Sequence, residues 1–238
     1  NAILAVGARP VMAEHPLEVR EITETADALL CNLGNITDAR MESMKIALIT
    51  AKEKEIPTVI DAVGIACSEL RRNFLGELLK TGTPTVIKGN YSEIAALYFE
   101  NYRSSGVDAD ASLDQNAVSR MAAELAQSYG TVILASGKTD IITDGKRLIC
   151  GNNGTPRLAS VTGTGCMLGA LCAAYLSVSR DMDAAVCACS VLGICGQLAQ
   201  TAPGSGSFMV HLMDGLSTLS AVEFETYISL EEFDLETI

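Results

Sequence analysis

Short apolar runs rich in β-branched residues alternate along the chain with longer segments in which apolar positions recur at helical spacing. The runs predict four strands, at residues 28–33, 58–63, 85–88 and 131–135. The segments between them predict helices, at about 37–54 and 68–80, from near Tyr91, and at 112–128. Thr37 is the expected cap of the first helix, and Ser112 and Gln115 have capping-box spacing in the last. This β-helix-β rhythm predicts a mostly parallel central sheet with helices on both faces.

The pattern changes after residue 139. Asp140–Thr143 and residues 146–150 are two apolar runs that flank Asp144-Gly145, a dipeptide typical of two-residue hairpin turns because the turn requires positive φ. We therefore predict an antiparallel hairpin at the edge of the sheet. Three mostly helical segments follow, near 164–178, 182–201 and 206–219. Together these elements predict one three-layer α/β domain over residues 1–238.

Two uncharged stretches, residues 158–179 and 184–202, are long enough to cross a bilayer. The first contains a Thr-Gly-Thr-Gly sequence that would break a spanning helix. The second is rich in small residues and carries Gln197 and Gln200. We interpret both as helices buried in a large core, and expect no membrane association. The start of the chain lacks a basic region typical of signal peptides, and it lacks an initiator Met, so we expect further residues upstream.

Composition narrows the class of partner. Apolar residues make up 48% of the chain and charged residues 19%, enough to build a core. The 17 basic against 29 acidic residues give a net charge of −12, which opposes nonspecific binding to nucleic acid or anionic lipid. Aromatic residues are only 5%, and Trp is absent, so platforms for stacking bases are few. A small anionic substrate would have to be held by local backbone donors.

Eight cysteines are interpreted as free thiols, because no CxxC pair occurs and a chain of 238 residues builds a core without disulfides. This usage predicts a reducing, cytoplasmic location. Only two histidines are present, His15 and His211, which argues against a zinc site and against a Ser-His-Asp triad.

The sharpest local feature is a glycine-rich turn that opens a predicted helix, with Gly163, Thr164, Gly165 and Cys166 in succession. Backbone N–H groups at a helix N-terminus form an anion cradle suited to a phosphoryl group. Cys166 would stand beside that group, placed to accept or guide a hydroxyl proton. The alternative is a turn that only leads the chain into the helix, with Cys166 as a small buried apolar residue.

Polar residues follow two of the predicted strands. Asp61 ends the second strand, and Asn90 and Glu93 follow the third, where ligands of open parallel sheets bind. These oxygens are suited to hydrated Mg²⁺ beside a triphosphate, and Lys88 would neutralise phosphate charge. The alternatives are a turn cap for Asp61, a helix-capping pair for Asn90 and Glu93, and a solvated side chain for Lys88.

The chain resembles hydroxyethylthiazole kinase, a thiamine-salvage family of the ribokinase-like superfamily, over about residues 1–220. The resemblance rests on four blocks in order, residues 7–13 (GARPVMA), 61–64 (DAVG), 88–94 (KGNYSEI) and 161–166 (VTGTGC). The first block is the most specific to this family. The last is shared with pyrimidine kinases of the same pathway, and most sugar kinases of the superfamily have Asp in place of Cys166.

The resemblance implies the ribokinase-like fold and ATP-dependent phosphorylation of 4-methyl-5-(2-hydroxyethyl)thiazole at its hydroxyl. It also implies a homotrimer whose active sites lie between subunits. The roles it implies are these: Cys166 catalytic; Gly163, Thr164, Gly165 and Cys166 the anion hole; Met12 and Gly163 on the thiazole; Lys88, Asn90 and Ser136 on ATP; Asp61 and Glu93 on Mg²⁺.

Some residues depart from the pattern that the resemblance leads us to expect. Lys88 stands for the usual Arg, Ser136 for the usual Thr and Ala62 for the usual Pro. The family's N-terminal helix and first strand are not among these residues, and we expect them upstream of residue 1. Two other functions stay open, a hydroxymethylpyrimidine kinase of the same superfamily and a noncatalytic nucleotide-binding module.

Overall fold

The structure is a computed structural model, which describes residues 1–99, 102 and 113–235. Its strands are β1 Leu29–Asn32, β2 Thr58–Asp61, β3 Val86–Asn90, β4 Val132–Ser136, β5 Asp140–Thr143, β6 Arg147–Gly151 and β7 Leu230–Asp234. Its helices are α1 Ala2–Ala5, α2 Val19–Thr23, α3 Asp38–Glu53, α4 Glu69–Thr81, α5 Tyr91–Tyr98, α6 Gln115–Tyr129, α7 Thr164–Leu176, α8 Met182–Ala199, α9 Ser205–Thr218 and α10 Ala221–Tyr227. A 3₁₀ turn, Pro156–Ser160, precedes α7.

All seven strands form one sheet in chain order, with β1 to β4 parallel and β5 to β7 antiparallel. The predicted parallel sheet and antiparallel hairpin are confirmed. The predicted two-residue turn is not, because residues 144–146 connect β5 to β6 and only Gly145 among them has positive φ. The hairpin is not the outermost element, however, because β7 pairs with β6 and forms the edge. That strand was not predicted, since its five residues are all exposed and show no apolar run.

Helices cover both faces of the sheet, and neighbouring strand residues point to opposite sides. Val59 and Val86 face a core beneath α7, α8 and α9, whereas Ile60 packs with α3 and α4, and Ile87 with α5 and α6. Burial on both faces explains why these strands read as continuous apolar runs without alternation.

The predicted helix starts agree with the observed N-caps in most cases. Thr37 caps α3, as predicted. Asp114 caps α6 through the Ala117 N–H, so the helix begins at Gln115, the last residue of the predicted capping box. Ser112, the cap predicted there, lies outside the described residues.

Among the described residues, one helix, Met182–Ala199, is long and apolar enough to cross a membrane by length and composition. Of that stretch, 78% is buried inside the fold, as in the core helix of a globular domain. This burial agrees with its interpretation as a core helix.

Candidate active site

The parallel strands place polar residues along one edge of the sheet, at their carboxyl ends. Register pairs Asn32 with Asp61 across β1 and β2, and Asp61 with Lys88 across β2 and β3. It also pairs Asn90 with Ser136 across β3 and β4. Residues far apart in the sequence therefore become neighbours at the edge where such sheets bind ligands.

Asp61 and Lys88 form a buried ion pair at this edge. Lys88 Nζ lies 3.0 Å from Asp61 Oδ1, and their side chains are 4% and 0% exposed. Asn32 Nδ2 donates to Asp61 Oδ2 at 3.0 Å. Burial is the largest influence on the pKa of Lys88 and lowers it, but the charges of Asp61 and Glu93 outweigh it and raise the pKa above its ordinary value. Lys88 is thus a buried cation, and the solvated-lysine alternative is wrong.

Glu93 is buried at the start of α5, and both of its carboxylate oxygens accept backbone hydrogen bonds. The Gly64 N–H donates to Oε1 at 2.7 Å, and the Asn90 N–H donates to Oε2 at 2.7 Å. Asn90 Oδ1 accepts from the Glu93 N–H in return, so the capping box is present. Burial raises the pKa of Glu93 more than these donors and Lys88 lower it.

The N-terminus of α7 faces the ion pair. Gly163 precedes the helix with φ +96°, a value that L side chains rarely adopt, and no side chain caps the helix. Lys88 Nζ lies 3.5 Å from where a β-carbon on Gly165 would stand. Asp61 Oδ2 lies 3.0 Å from the same point on Gly169. The first two turns of α7 therefore approach both charged groups closely.

Cys166 lies in the first turn of α7 and is half-buried. Its negative form would interact favourably with Lys88, and this contributes to the raised pKa of Lys88. The predicted free state is confirmed for all eight cysteines. Five of them are buried in the apolar interior, whereas Cys166 is half-buried in the first turn of α7.

Two further predicted residues are placed differently. Ser136 ends β4 and its hydroxyl donates to the Gly89 carbonyl at 3.4 Å, within the candidate site. Met12 is 85% exposed. Two residues further on, Glu14 forms an ion pair with Arg40, which holds this segment against α3. Among the described residues, therefore, little packs on the Met12 side chain.

Sequence reasoning missed Asp140, which begins β5 at the same edge. The Gly137 N–H donates to its carboxylate at 3.0 Å, and the Cys189 thiol is a second donor. Burial is the strongest influence and raises the pKa of Asp140 to about 6, although both donors and Lys88 lower it. The only sequence feature that could have indicated its place near the site was its position in the predicted hairpin.

Replacing Asp140 by Asn should stabilise the protein at neutral pH and not at acidic pH. Because the folded-state pKa of Asp140 is about 6 against an ordinary value of 3.8, folding becomes less favourable as pH rises between about 4 and 6. Asn cannot ionise, so the advantage of Asp140→Asn should grow to at most about 3 kcal/mol by pH 7.5. Urea unfolding at pH 4.5, 5.5, 6.5 and 7.5 measures it, with exposed Asp27→Asn as the control. A pH-independent difference would contradict the prediction.

A family model described as the hydroxyethylthiazole kinase family matches residues 1–222. The chain belongs to this family. Hydroxyethylthiazole kinase 2 of Clostridium botulinum is 44% identical over 227 residues, which are 92% of this chain and 85% of that protein. Hydroxyethylthiazole kinase of Finegoldia magna is 38% identical over 234 residues, 98% of this chain and 87% of that protein. The suspected family is thereby confirmed.

Solved structures agree on the fold. A hydroxyethylthiazole kinase protein from Pyrococcus horikoshii superposes with a TM-score of 0.90 and 32% identity, over 98% of this chain and 87% of that one. A ribokinase-like superfamily protein from Enterococcus faecalis gives a TM-score of 0.56 at 16% identity, over 89% and 67% of the two chains. The second likeness concerns the fold alone, and it confirms the predicted ribokinase-like architecture.

Proposed function

We propose that this kinase phosphorylates the hydroxyl of 4-methyl-5-(2-hydroxyethyl)thiazole, with ATP as the phosphoryl donor. Membership of the hydroxyethylthiazole kinase family supports the substrate. One observation of the site carries the chemistry: the uncapped N-terminus of α7 lies beside a buried lysine at the carboxyl edge of the sheet. Fixed N–H donors and a fixed cation suit the charge that develops during phosphoryl transfer.

In the proposed reaction the thiazole hydroxyl lies between Cys166 and the γ-phosphoryl group. The hydroxyl oxygen forms a bond to phosphorus as the bond to the β-phosphate oxygen breaks and ADP leaves. N–H groups of Gly163, Thr164, Gly165 and Cys166 donate to the oxygens of the transferring group. Cys166 accepts or guides the hydroxyl proton, and a full thiolate is not required because the transition state is loose.

ATP is proposed to bind along the edge formed by β3 and β4. Lys88 contributes its charge beside the phosphates, and Asn90 and Ser136 are adjacent polar groups in register. Since Lys88 also pairs with Asp61, its ammonium is held in place before the nucleotide binds. Such preorganisation lowers the cost of binding a charged ligand.

The charges at this edge fit a hydrated Mg²⁺ ion. Asp61 and Glu93 are both buried, and Lys88 can balance only one of the two carboxylates. Each carboxylate oxygen retains a second lone pair that can accept from metal-bound water. We propose that Asp61 and Glu93 hold Mg²⁺ in this way, together with phosphate oxygens. When bound, Mg²⁺ would neutralise phosphate charge.

A coupled ADP-release assay with ATP and Mg²⁺ tests this function, using the thiazole alcohol and hydroxymethylpyrimidine as parallel substrates. We expect turnover on the thiazole alcohol that exceeds turnover on the pyrimidine and requires Mg²⁺. Faster turnover on the pyrimidine would support the pyrimidine kinase instead. ATP binding without turnover on either alcohol would support a noncatalytic nucleotide-binding module.

We also infer a cytoplasmic enzyme with a single catalytic domain.

The active enzyme is proposed to be a homotrimer with sites between subunits, where Met12 contacts the thiazole together with Gly163. The exposed Val11, Met12 and Leu17 side chains support this, because a second subunit would cover them.

Replacing Met12 by Asp should raise KM for the thiazole at least about tenfold and weaken the trimer, because the carboxylate would be desolvated. Light scattering after gel filtration measures the mass of the assembly, and Val178→Asp, at another exposed apolar position, is the control. A monomeric, active native protein would contradict the proposal.

A further inference from the structure

A continuous series of hydrogen bonds joins the two buried carboxylates at the sheet edge. It starts at Asp61, where Asn32 Nδ2 donates to Oδ2. Asn32 Oδ1 accepts from the Gly34 N–H at 2.7 Å, and the Gly34 carbonyl accepts from Arg71 Nη2 at 3.1 Å. The series therefore leaves β1, crosses to α4 and reaches a side chain that sequence reasoning did not single out.

Arg71 continues the series into the loop that follows β2. Its second nitrogen, Nη1, donates to the Val63 carbonyl at 3.3 Å. The peptide bond that carries this carbonyl also carries the Gly64 N–H, which donates to Glu93 Oε1 at 2.7 Å. One half-buried guanidinium thus fastens the loops after β1 and β2 to each other, and it holds the peptide unit that binds Glu93.

The space around Gly64 shows how closely Arg71 approaches the loop. A β-carbon on Gly64 would stand 2.3 Å from Arg71 Nη1, closer than any real contact, and its φ is +79°. Glycine suits this backbone conformation, which L side chains rarely adopt, and a β-carbon there would displace the guanidinium. The loop conformation and the guanidinium position therefore depend on each other, and the direction of the Gly64 N–H depends on both.

We propose that Arg71 is a positioning residue for the Mg²⁺–nucleotide site, because it holds the Gly64 N–H against Glu93 and the Gly34 loop against Asn32 and Asp61. The proposal rests on the proposed roles of Asp61 and Glu93. It adds that these carboxylates keep their orientation through Arg71, which need not touch substrate. The planar fork is essential, since a lysine amine cannot reach both carbonyls in fixed directions.

Arg72, the next residue of α4, is a matched control. It is also a half-buried arginine. Its guanidinium donates to the Ile65 carbonyl at 3.1 Å and to the Tyr102 carbonyl. Neither carbonyl belongs to the peptide unit that binds Glu93. Arg71→Gln and Arg72→Gln therefore remove the same charge from the same helix, and only the first cuts the series between Asp61 and Glu93.

Two readouts other than turnover test the proposal. The first is calorimetric titration of Mg²⁺ into the protein saturated with ADP. We expect Arg71→Gln to weaken Mg²⁺ binding about tenfold, as is common when a group that orients a metal-site carboxylate is lost. The second is hydrogen exchange of the peptide containing Gly64, which should become faster in Arg71→Gln. Arg72→Gln should leave Mg²⁺ affinity within about twofold.

Arg71→Lys is the second variant, used where Arg71→Gln folds poorly. It keeps the charge and should still weaken Mg²⁺ binding, since one amine cannot fasten both loops. Unchanged Mg²⁺ affinity in both Arg71 variants, or equal losses in the Arg71 and Arg72 variants, would overturn the proposal. Native protein that binds Mg²⁺ and ADP with this dependence on Arg71, yet turns over no thiazole alcohol, would instead overturn the proposed function.

Discussion

Cys166→Ala should lower kcat for the thiazole alcohol about a hundredfold, while KM for the alcohol changes less than about threefold. The sulfur stands in the first turn of α7, beside the cation of Lys88. Its proposed task, to accept or guide the hydroxyl proton, arises only as the reaction proceeds, so its loss should affect turnover and leave ground-state binding nearly unchanged. Steady-state kinetics with saturating ATP and Mg²⁺ measure both constants.

Cys187→Ala is the matched control, because Cys187 is also half-buried and lies on α8 outside the site. It should leave kcat within about twofold, the change typical of an uninvolved position. Cys166→Asp separates proton transfer from packing, since a carboxylate can also accept a proton. We expect it to recover part of the activity lost in Cys166→Ala. Equal turnover in native protein and Cys166→Ala would remove Cys166 from the mechanism.

Lys88→Met should destabilise the protein by about 3 to 5 kcal/mol and abolish most activity. The substitution leaves the buried Asp61 carboxylate without its 3.0 Å partner, and an uncompensated buried charge is costly. It also removes the cation beside Gly165 at the start of α7, so KM for ATP should rise and kcat fall. Urea unfolding and ADP-release kinetics measure the two effects separately.

The double variant Asp61→Asn with Lys88→Met tests whether the two losses have one cause. It removes both charges, so it should regain most of the stability and none of the activity. Lys45→Met is a control, since its ion pair with Glu77 is exposed and its loss should change stability far less than Lys88→Met does. Full activity in Lys88→Met would exclude Lys88 from nucleotide binding.

Local patterns predicted the elements that carry the site. The apolar runs before Asp61 and Lys88 located two central strands, because strands buried on both faces must be apolar throughout. The glycine-rich turn at Gly163 located the start of α7, because few other residues tolerate its backbone conformation. The family followed from four short blocks, and the comparisons confirmed it.

The contacts among those elements were not predictable in the same way. Asn32 lies on a different strand from Asp61, and Arg71 on a helix, so nothing near them in the chain indicates that they meet. An exposed strand such as β7 shows no apolar period, since its pairing with β6 is made by the backbone. In the sequence Asp140 is an ordinary hairpin residue, and only the folded structure shows the burial that raises its pKa.

By itself, the sequence determined the α/β class and the family, and it predicted the carboxyl edge as the place for chemistry, because each depends on local periodicity or short motifs. Tertiary structure alone decided that Lys88 is a buried cation, that Glu93 is held by the Gly64 N–H, and that Arg71 joins the loops after β1 and β2. Those facts depend on distances between segments brought together by folding. Burial then sets the electrostatic strength of each contact, and no local pattern encodes burial at such a junction.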